Sequence, residues 1–150
     1  MDTPNHSQYD YRSLSLLAAS DRVQHSNKEI LPQLEQGKVV ISDRYIYSCL
    51  ANLRARGFTR DKWIYEIAES LPRPDIAFFF DAPVTTCLTR VRARPEEANR
   101  YVDMDLQYKL RDEYLRICKR NNGILISTTL AVEESYRQVL NKVKEVLGVK

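Results

Sequence analysis

The chain has 150 residues, of which 43% are hydrophobic and 29% charged, with only four glycines and six prolines. This length suits one domain, residues 1–150, with its own core, and the composition excludes collagen-like, low-complexity and disordered chains. The net charge of +3 is compatible with an anionic substrate, but the basic blocks of a dedicated nucleic-acid binder are missing. We therefore expect no nucleic-acid partner.

The sequence contains no targeting or membrane signal. No run of eighteen apolar residues occurs, and the first ten residues have neither a basic start nor an apolar stretch. We therefore expect a cytoplasmic protein that does not enter a membrane. Cys49, Cys87 and Cys118 lie more than thirty residues apart, a spacing that fits neither a disulfide framework nor a zinc site.

The first third of the chain predicts a long helix followed by a strand. Residues 11–36 contain no glycine and carry apolar positions at helical spacing. Pro32 is expected to kink or split this helix, and Gly37 is placed to end it. The β-branched run Val39–Ile41 then predicts a short buried strand.

Helices and strands continue to alternate along the rest of the chain. The apolar run Asp75–Asp81 suits a strand that is covered on both faces, and Ile124–Thr128 predicts another strand. The predicted helices are Ser48–Arg56, Asp61–Leu71, Pro83–Arg94, Asp105–Arg120, and a last one through Val139, Leu140, Val143 and Leu147. This alternation predicts an α/β fold with a mainly parallel sheet.

Polar residues follow each predicted strand, where ligands bind in parallel α/β sheets. Asp43 and Arg44 follow the first strand, Asp81 ends the second, and Ser127 and Thr128 end the third. An aspartate at such a place can hold Mg²⁺, and an adjacent arginine can grip a phosphate with two parallel hydrogen bonds. An exposed pair that stabilises a turn is the alternative, and the Asp-Arg dipeptide alone favours that alternative.

Several segments read together resemble a known family. The stretch LLAASDRVQH at Leu16–His25 precedes VVISDRY at Val39–Tyr45, with Ser48 and Ala51 downstream. This order is similar to the thymidylate kinase family, in which a leucine-rich AADRxQH helix precedes a strand that ends in a DRY-type motif followed by Ser and Ala. Further matches are Trp63-Ile64, Pro74-Asp75, Phe80-Asp81 with Arg90 nine residues on, and Asn99-Arg100.

The resemblance covers the chain from about Tyr11 onward and implies both a fold and an activity. The implied fold is the three-layer α/β/α arrangement of P-loop NTPases with a mainly parallel sheet. The implied activity is that of a nucleoside monophosphate kinase, which transfers the γ-phosphate of ATP to dTMP and yields dTDP for dTTP and DNA synthesis. Mg²⁺ is the implied cofactor, ATP the co-substrate, and a homodimer the implied assembly.

The same resemblance implies roles for individual residues. Arg22 and Arg44 would bind the acceptor phosphate, Asp43 would lie near Mg²⁺, and Ser48 and Asn52 stand at acceptor-pocket positions. Arg90, Arg92, Arg94 and Arg100 flank a loop that looks like the family's lid. All four would contact ATP, and Arg90 and Arg94 would act in catalysis together with Asp43 and Arg44. A solvated helix face, offset by Glu96 and Glu97, is the alternative for Arg90–Arg94.

The chain departs from the family pattern where the base is recognised. Ala18 stands where the family has an aromatic residue that stacks on the base, and Asn52-Leu53 replaces the Tyr-Gln pair of bacterial members. Cys49 replaces the second serine that precedes this pair. Because these changes spare the phosphate-binding positions, we expect the acceptor to be dTMP or another nucleoside monophosphate.

The phosphate-binding loop of the family is not found in this sequence. None of the four glycines lies in a G-x-x-x-x-G-K-[ST] motif. The resemblance places that motif in a first strand-loop-helix upstream, within roughly 50 residues that we expect to be missing at the N-terminus. Either a partner chain or a start codon upstream of the one assigned at Met1 supplies the loop and the protein acts as a kinase, or the chain is a non-catalytic module that binds nucleotides or pairs subunits.

Overall fold

The computed structural model describes residues 10–149, which group into two units whose boundary in the sequence falls between Arg73 and Pro74. Residues 1–9 and residue 150 of the expected domain 1–150 lie outside the described residues. The first unit contains α1 (Tyr11–His25), a π-helical turn (Ser26–Ile30), α2 (Leu31–Glu35), α3 (Ile46–Ala55) and α4 (Trp63–Ser70). The second contains β1 (Phe78–Asp81), α5 (Val84–Arg92), a 3₁₀ turn (Pro95–Glu97), α6 (Met104–Arg120), β2 (Ile124–Ser127) and α7 (Val132–Leu147).

The long first helix is confirmed, and it contains a π-helical turn just before Pro32. The side chain of Asp10 caps its start by accepting hydrogen bonds from the backbone N–H groups of residues 12 and 13. At the other end of the π-helical turn the Leu31 N–H donates to the Ser26 carbonyl, five residues back. Proline has no N–H and its ring crowds the preceding turn, so a wider turn accommodates it. Gly37 then ends the helical segment with φ at 72°.

The predicted strand at Val39–Ile41 is wrong. These residues are extended without strand pairing, and the side chains of Val39 and Ile41 are 62% and 92% exposed. A strand is stabilised by hydrogen bonds to a neighbouring strand, and no such neighbour pairs with this segment within residues 10–149. The β-branched run therefore correctly indicated extended backbone, but not a buried strand.

The core of the first unit lies where α1, α3 and α4 pack together. The buried core side chains are Ala19, Ile46, Leu53, Ile64 and Leu71. The apolar face expected on α4 is confirmed, because Trp63, Ile67 and Ala68 pack against this core together with Ile64. This packing sets the positions of α1 and α3, which carry most of the predicted acceptor-side residues.

The second unit contains the parallel sheet. Strands β1 and β2 pair in parallel, with Phe78 opposite Ile124 and Asp81 opposite Ser127, so both carboxyl ends lie at one edge. The pairing confirms the predicted α/β class with a parallel sheet. Coverage of β1 on both faces is wrong, because Phe80 is 62% exposed.

Candidate functional site

The loop before α3 holds an arginine in an unusual backbone conformation. Arg44 has φ at 65°, in the left-handed region that glycine prefers. The Ser42 hydroxyl donates a 2.9 Å hydrogen bond to the Arg44 carbonyl, which helps to hold this conformation. Asp43 and Arg44 are both exposed. A strained backbone at an exposed charged residue is typical of a functional site.

The residue after Arg44 anchors this loop to the interior of the first unit. The Tyr45 phenol donates to the Pro72 carbonyl at 3.2 Å and lies 3.1 Å from the Ser26 hydroxyl oxygen. Because a phenol has one proton, and here it goes to Pro72, Ser26 is the donor to Tyr45. Ser26 is fully buried within the π-helical turn. The phenol therefore links three segments of the unit next to Arg44.

The predicted acceptor residues Arg22 and Ser48 lie on α1 and α3, two helices that pack against each other. The side chain of Arg22 is 30% exposed and lies 3.6 Å from the carboxylate of Asp21. Burial raises the pKa of the Cys49 thiol on α3, and the positive charge of Arg22 opposes that rise. Ser48 directly precedes Cys49 in the first turn of α3.

Ser48 and Asn52 lie one turn apart on α3. The Asn52 side-chain N–H donates to the Ser48 carbonyl at 2.9 Å, which occupies part of the amide and leaves its oxygen as an acceptor. Both residues are half-buried. The first unit thus contains all five predicted acceptor-side residues, which are Arg22, Asp43, Arg44, Ser48 and Asn52.

The carboxylate of Asp43 fits a magnesium ion better than a transition metal. Among the described residues, no three His, Cys, Asp or Glu side chains cluster so as to hold a metal by themselves. Mg²⁺ prefers hard oxygen ligands and keeps several waters, and it commonly uses one or two carboxylates together with substrate phosphates. A single exposed carboxylate is therefore a chemically suitable ligand for it.

In the second unit, Arg90 is held at the carboxyl edge of the sheet. Its guanidinium donates through Nη1 to the Thr128 hydroxyl at 3.1 Å and through Nη2 to the Thr128 carbonyl. These bonds use two of its five N–H donors. Arg90 lies in the last turn of α5 and is exposed, so a ligand at this edge can reach it.

A second arginine at the same edge escaped the sequence analysis. Arg111 on α6 donates from Nε and Nη2 to the two carboxylate oxygens of Asp81, at 2.8 and 2.9 Å. Its hydrogen bonds hold the pKa of the Asp81 carboxyl below the ordinary value of 3.8, against the opposing effect of burial. The only signal in the sequence is an arginine directly after Leu110, at the border of the apolar stripe of α6.

The remaining predicted arginines lie apart from this edge cluster. Arg94 and Arg100 lie 3.8 and 3.5 Å from the same carboxylate oxygen of Glu97, which belongs to the 3₁₀ turn. Arg92 is exposed on the last turn of α5. The four arginines expected around the lid thus divide between Thr128, Glu97 and solvent. The alternative for Arg90–Arg94 was a solvated helix face whose charge is offset by Glu96 and Glu97. The contact of Arg94 with Glu97 agrees with that alternative.

Comparison with known proteins identifies the family. A family model described as thymidylate kinase matches residues 3–139. The chain belongs to the thymidylate kinase family. A probable thymidylate kinase of Pyrococcus abyssi is 40% identical over 145 residues, 95% of this chain and 70% of that protein. The thymidylate kinase of Onion yellows phytoplasma is 33% identical, over 95% of this chain and 72% of that protein.

A solved structure supports the fold. The crystal structure of thymidylate kinase from Ehrlichia chaffeensis matches with a TM-score of 0.65 at 24% identity, over 95% of this chain and 70% of that chain. Thymidylate kinases have the P-loop NTPase fold, and the predicted fold class is therefore confirmed. The chain spans about 70% of the length of these relatives.

Membership of the thymidylate kinase family supports a nucleoside monophosphate kinase role, and hence a transferase. The family uses ATP as co-substrate, usually with Mg²⁺, and dTMP as substrate. Within residues 10–149, no helix combines the length and the apolar character that crossing a bilayer requires.

Proposed function

We propose that this protein transfers the γ-phosphoryl group of ATP to dTMP, giving dTDP and ADP, and that it does so in the cytoplasm. The proposal extends family membership to one acceptor and to named residues of this chain. It includes assembly either as a homodimer or with a partner chain. A partner chain would contribute the P-loop, since this sequence contains no G-x-x-x-x-G-K-[ST] motif.

The observation that carries the proposal is the conformation of Arg44. An arginine gains nothing in stability from a left-handed backbone, which costs on the order of 1–2 kcal/mol for a residue other than glycine. The Ser42 hydroxyl and the anchored Tyr45 on either side hold Arg44 there nevertheless. Strain that is retained at an exposed guanidinium supports a binding role for that group.

The acceptor phosphate is bound by Arg44 and Arg22. Both are permanently charged, and Arg22 is partly shielded from solvent, which strengthens its attraction to an anion. Ser48 and Asn52 border the acceptor pocket through the hydroxyl and the free amide oxygen. Ala18 is smaller than the aromatic residue that it replaces, and the Cys49 thiol is a weaker hydrogen-bonding group than a serine hydroxyl. We therefore expect weaker discrimination between bases than between nucleotides and nucleosides.

The ATP side is formed by arginines of the second unit. Arg90 is orientated by Thr128 and contacts the nucleotide, while Arg92, Arg94 and Arg100 neutralise its phosphates from the lid-like segment. Asp43 would hold Mg²⁺ through water. When bound there, Mg²⁺ would supply positive charge that offsets the negative charge on the reacting phosphates.

This residue set suits phosphoryl transfer because the reaction needs little covalent help. An oxygen of the acceptor phosphate attacks the γ-phosphorus while the bond to the β-γ bridging oxygen breaks, and ADP leaves. Two anionic phosphates must approach each other for this. Arginines that neutralise and align them therefore supply much of the rate enhancement.

The test is product formation by the purified chain. The protein is incubated with ATP, Mg²⁺ and dTMP, and dTDP is separated by chromatography, with dUMP, dCMP, dAMP and dGMP as competing acceptors. If the chain forms a complete site by itself, dTDP forms above the uncatalysed background, with lower yields from the other nucleotides. A higher yield from one of the competitors would correct the acceptor, and the absence of any diphosphate would refute stand-alone kinase activity.

Calorimetry with dTMP separates binding from catalysis. If dTMP binds but no dTDP forms, the alternative of a non-catalytic nucleotide-binding module is correct for this chain alone. If dTMP does not bind either, the acceptor assignment itself is wrong. Arg60, an exposed residue of the loop before α4, gives a matched control for Arg44→Ala. The change Arg60→Ala also removes one arginine from the first unit, but outside the proposed acceptor site.

A further inference from the structure

Asp81 ends β1 and is fixed by two kinds of contact. The planar guanidinium of Arg111 binds both of its carboxylate oxygens at 2.8 and 2.9 Å, which fixes the orientation of the carboxylate as well as its position. The backbone N–H of Ala82 also helps to lower the pKa of this carboxylate. The backbone carbonyl of the same residue makes the second kind of contact.

That carbonyl carries the contact to the next strand. The carbonyl and the carboxylate of Asp81 belong to one residue, so fixing the carboxylate also restrains the position of the carbonyl. This carbonyl accepts two hydrogen bonds from Thr128, from the backbone N–H at 2.8 Å and from the hydroxyl at 3.1 Å. Thr128 follows β2 and is thereby held by Asp81.

Thr128 in turn holds Arg90. The Thr128 hydroxyl donates its one proton to the Asp81 carbonyl. A lone pair of the same hydroxyl oxygen therefore accepts the hydrogen bond from Arg90 Nη1, at 3.1 Å. The Thr128 carbonyl accepts from Arg90 Nη2. The hydrogen bonds therefore run in one direction, from Arg90 to Thr128 and from Thr128 to Asp81. Hydrogen bonds in such a chain polarise and strengthen one another.

Stability alone does not explain the pair of Arg111 and Asp81. Their side chains are 38% and 21% exposed, and ion pairs open to solvent contribute only about 0–1 kcal/mol to the free energy of unfolding. The pair nevertheless has a bidentate geometry at the edge of the sheet where ligands bind in parallel α/β folds. Its geometry is suited to orientation more than to stabilisation.

We propose that Arg111 is a positioning residue for nucleotide binding, and that it acts on Arg90 through Asp81 and Thr128. The inference rests on the proposed function, in which Arg90 contacts ATP. Arg111 itself touches no substrate. It fixes the carboxylate of Asp81. The carbonyl of Asp81 holds Thr128, and Thr128 orients the two Nη groups of Arg90.

The experiment compares Arg111→Met, Arg111→Lys and the control Arg120→Met in the full chain. Arg120 lies exposed at the end of the same helix. Affinities for ATP and for dTMP are measured by calorimetry, and amide hydrogen exchange of Thr128 by NMR on the free proteins. We expect Arg111→Met to weaken ATP binding about fivefold, the size of one lost hydrogen bond, and to speed exchange at Thr128. Binding of dTMP and the control variant should not change.

The lysine variant separates charge from shape. Lysine keeps the positive charge at position 111 but lacks the fork that binds both carboxylate oxygens. If Arg111→Lys folds and still loses ATP affinity like Arg111→Met, orientation is the cause. If lysine restores the affinity in full, the effect is that of charge, and the positioning role is overturned.

A double-mutant cycle tests whether Arg111 acts through Arg90. In an Arg90→Met background, adding Arg111→Met should leave ATP affinity unchanged, because the group that Arg111 positions is already gone. Equal losses in both backgrounds would overturn the proposal. A wild-type chain that binds no ATP would refute the ATP side of the proposed function. The exchange of Thr128 then still decides the positioning, since unchanged exchange in Arg111→Met would overturn it on its own.

Discussion

The hydroxyl of Ser26, fully buried at the start of the π-helical turn, donates to the phenol oxygen of Tyr45 across 3.1 Å. Ser26 is the first residue of the π-helical turn that precedes Pro32. The phenol passes its own proton to the Pro72 carbonyl. A residue that directly follows Arg44 is thus tied to the ends of two helices, which stabilises the strained backbone of the proposed phosphate-binding arginine.

Tyr45→Phe removes this link with little change in shape. It leaves the Ser26 hydroxyl and the Pro72 carbonyl without their partner, so we expect the free energy of unfolding to fall by about 1–3 kcal/mol. Urea denaturation measures it. Tyr136→Phe, at a side chain that is 60% exposed, is the control and should have no effect. A Tyr45→Phe variant as stable as wild type would show that the link contributes nothing.

Arg44→Gly separates binding from backbone strain. Glycine adopts φ of 65° without penalty, although it also gains freedom in the unfolded chain, so the two effects should cancel to within about 1 kcal/mol. Affinity for dTMP should fall at least tenfold, because a charge-assisted hydrogen bond to phosphate is worth about 1.5–3 kcal/mol. Calorimetry and urea denaturation measure the two quantities.

Arg44→Ala has the same missing guanidinium but keeps the strained backbone. It should therefore lose as much dTMP affinity as Arg44→Gly and be the less stable of the two variants. Unchanged affinity in both would remove Arg44 from the acceptor site, whereas a loss in the glycine variant alone would assign the effect to the loosened backbone and not to the missing charge.

The helices of this chain could be predicted from its sequence because their signals are local. Apolar spacing located the helix around Ile64 and Ile67, and Gly37 and Gly57 end helical segments with positive φ. The strand predicted at Val39–Ile41 is wrong for the opposite reason. A strand depends on a neighbour that local pattern does not specify, and these residues have no paired strand in the described part of the chain.

The candidate site could be predicted only in part, because some of its contacts join residues that lie far apart in the sequence. Arg44 was predicted from a short contiguous motif, and Arg90 from its position nine residues after Phe80-Asp81. Arg111 was missed because its partner Asp81 lies 30 residues away, and only the fold brings a helix arginine against the end of β1. The widened turn that buries Ser26 also has no sequence signature beyond the proline that follows it.

The pair of Asp81 and Arg111 predicts a loss of stability in acid. Hydrogen bonds from Arg111 lower the pKa of Asp81 in the folded state, whereas the pKa of an aspartate in the unfolded chain is about 3.9. Between these two pKa values the unfolded state binds more protons than the folded state. The stabilisation by the charged pair is therefore complete above about pH 3.9 and disappears as the pH falls through the lowered pKa of folded Asp81.

The measurement compares wild type with Asp81→Asn in urea at several pH values between about pH 3 and pH 6. Asp10 also has a lowered pKa, chiefly through hydrogen bonds from Ser13, but it is present in both proteins and cancels in the difference. We expect the difference in unfolding free energy to shrink as the pH falls. A difference that stays constant over this range would show that Asp81 does not titrate with a lowered pKa.

Gly123 allows β2 to begin close to β1, and this can be tested by adding one methyl group. A Cβ at this position would lie 2.6 and 2.8 Å from ring carbons of Phe79 and 3.1 Å from the sulfur of Cys118. We therefore expect Gly123→Ala to lower the free energy of unfolding by about 1–3 kcal/mol, as overpacking does elsewhere.

The same contact predicts a specific rescue. Phe79→Leu removes the ring, so the alanine should be less harmful in a Phe79→Leu background than in wild type, giving a favourable coupling in the double-mutant cycle. Urea denaturation of the four proteins measures it. If the two losses simply add, the ring is not what excludes a side chain at residue 123, and the tight contact with Cys118 becomes the cause to examine by Cys118→Ala.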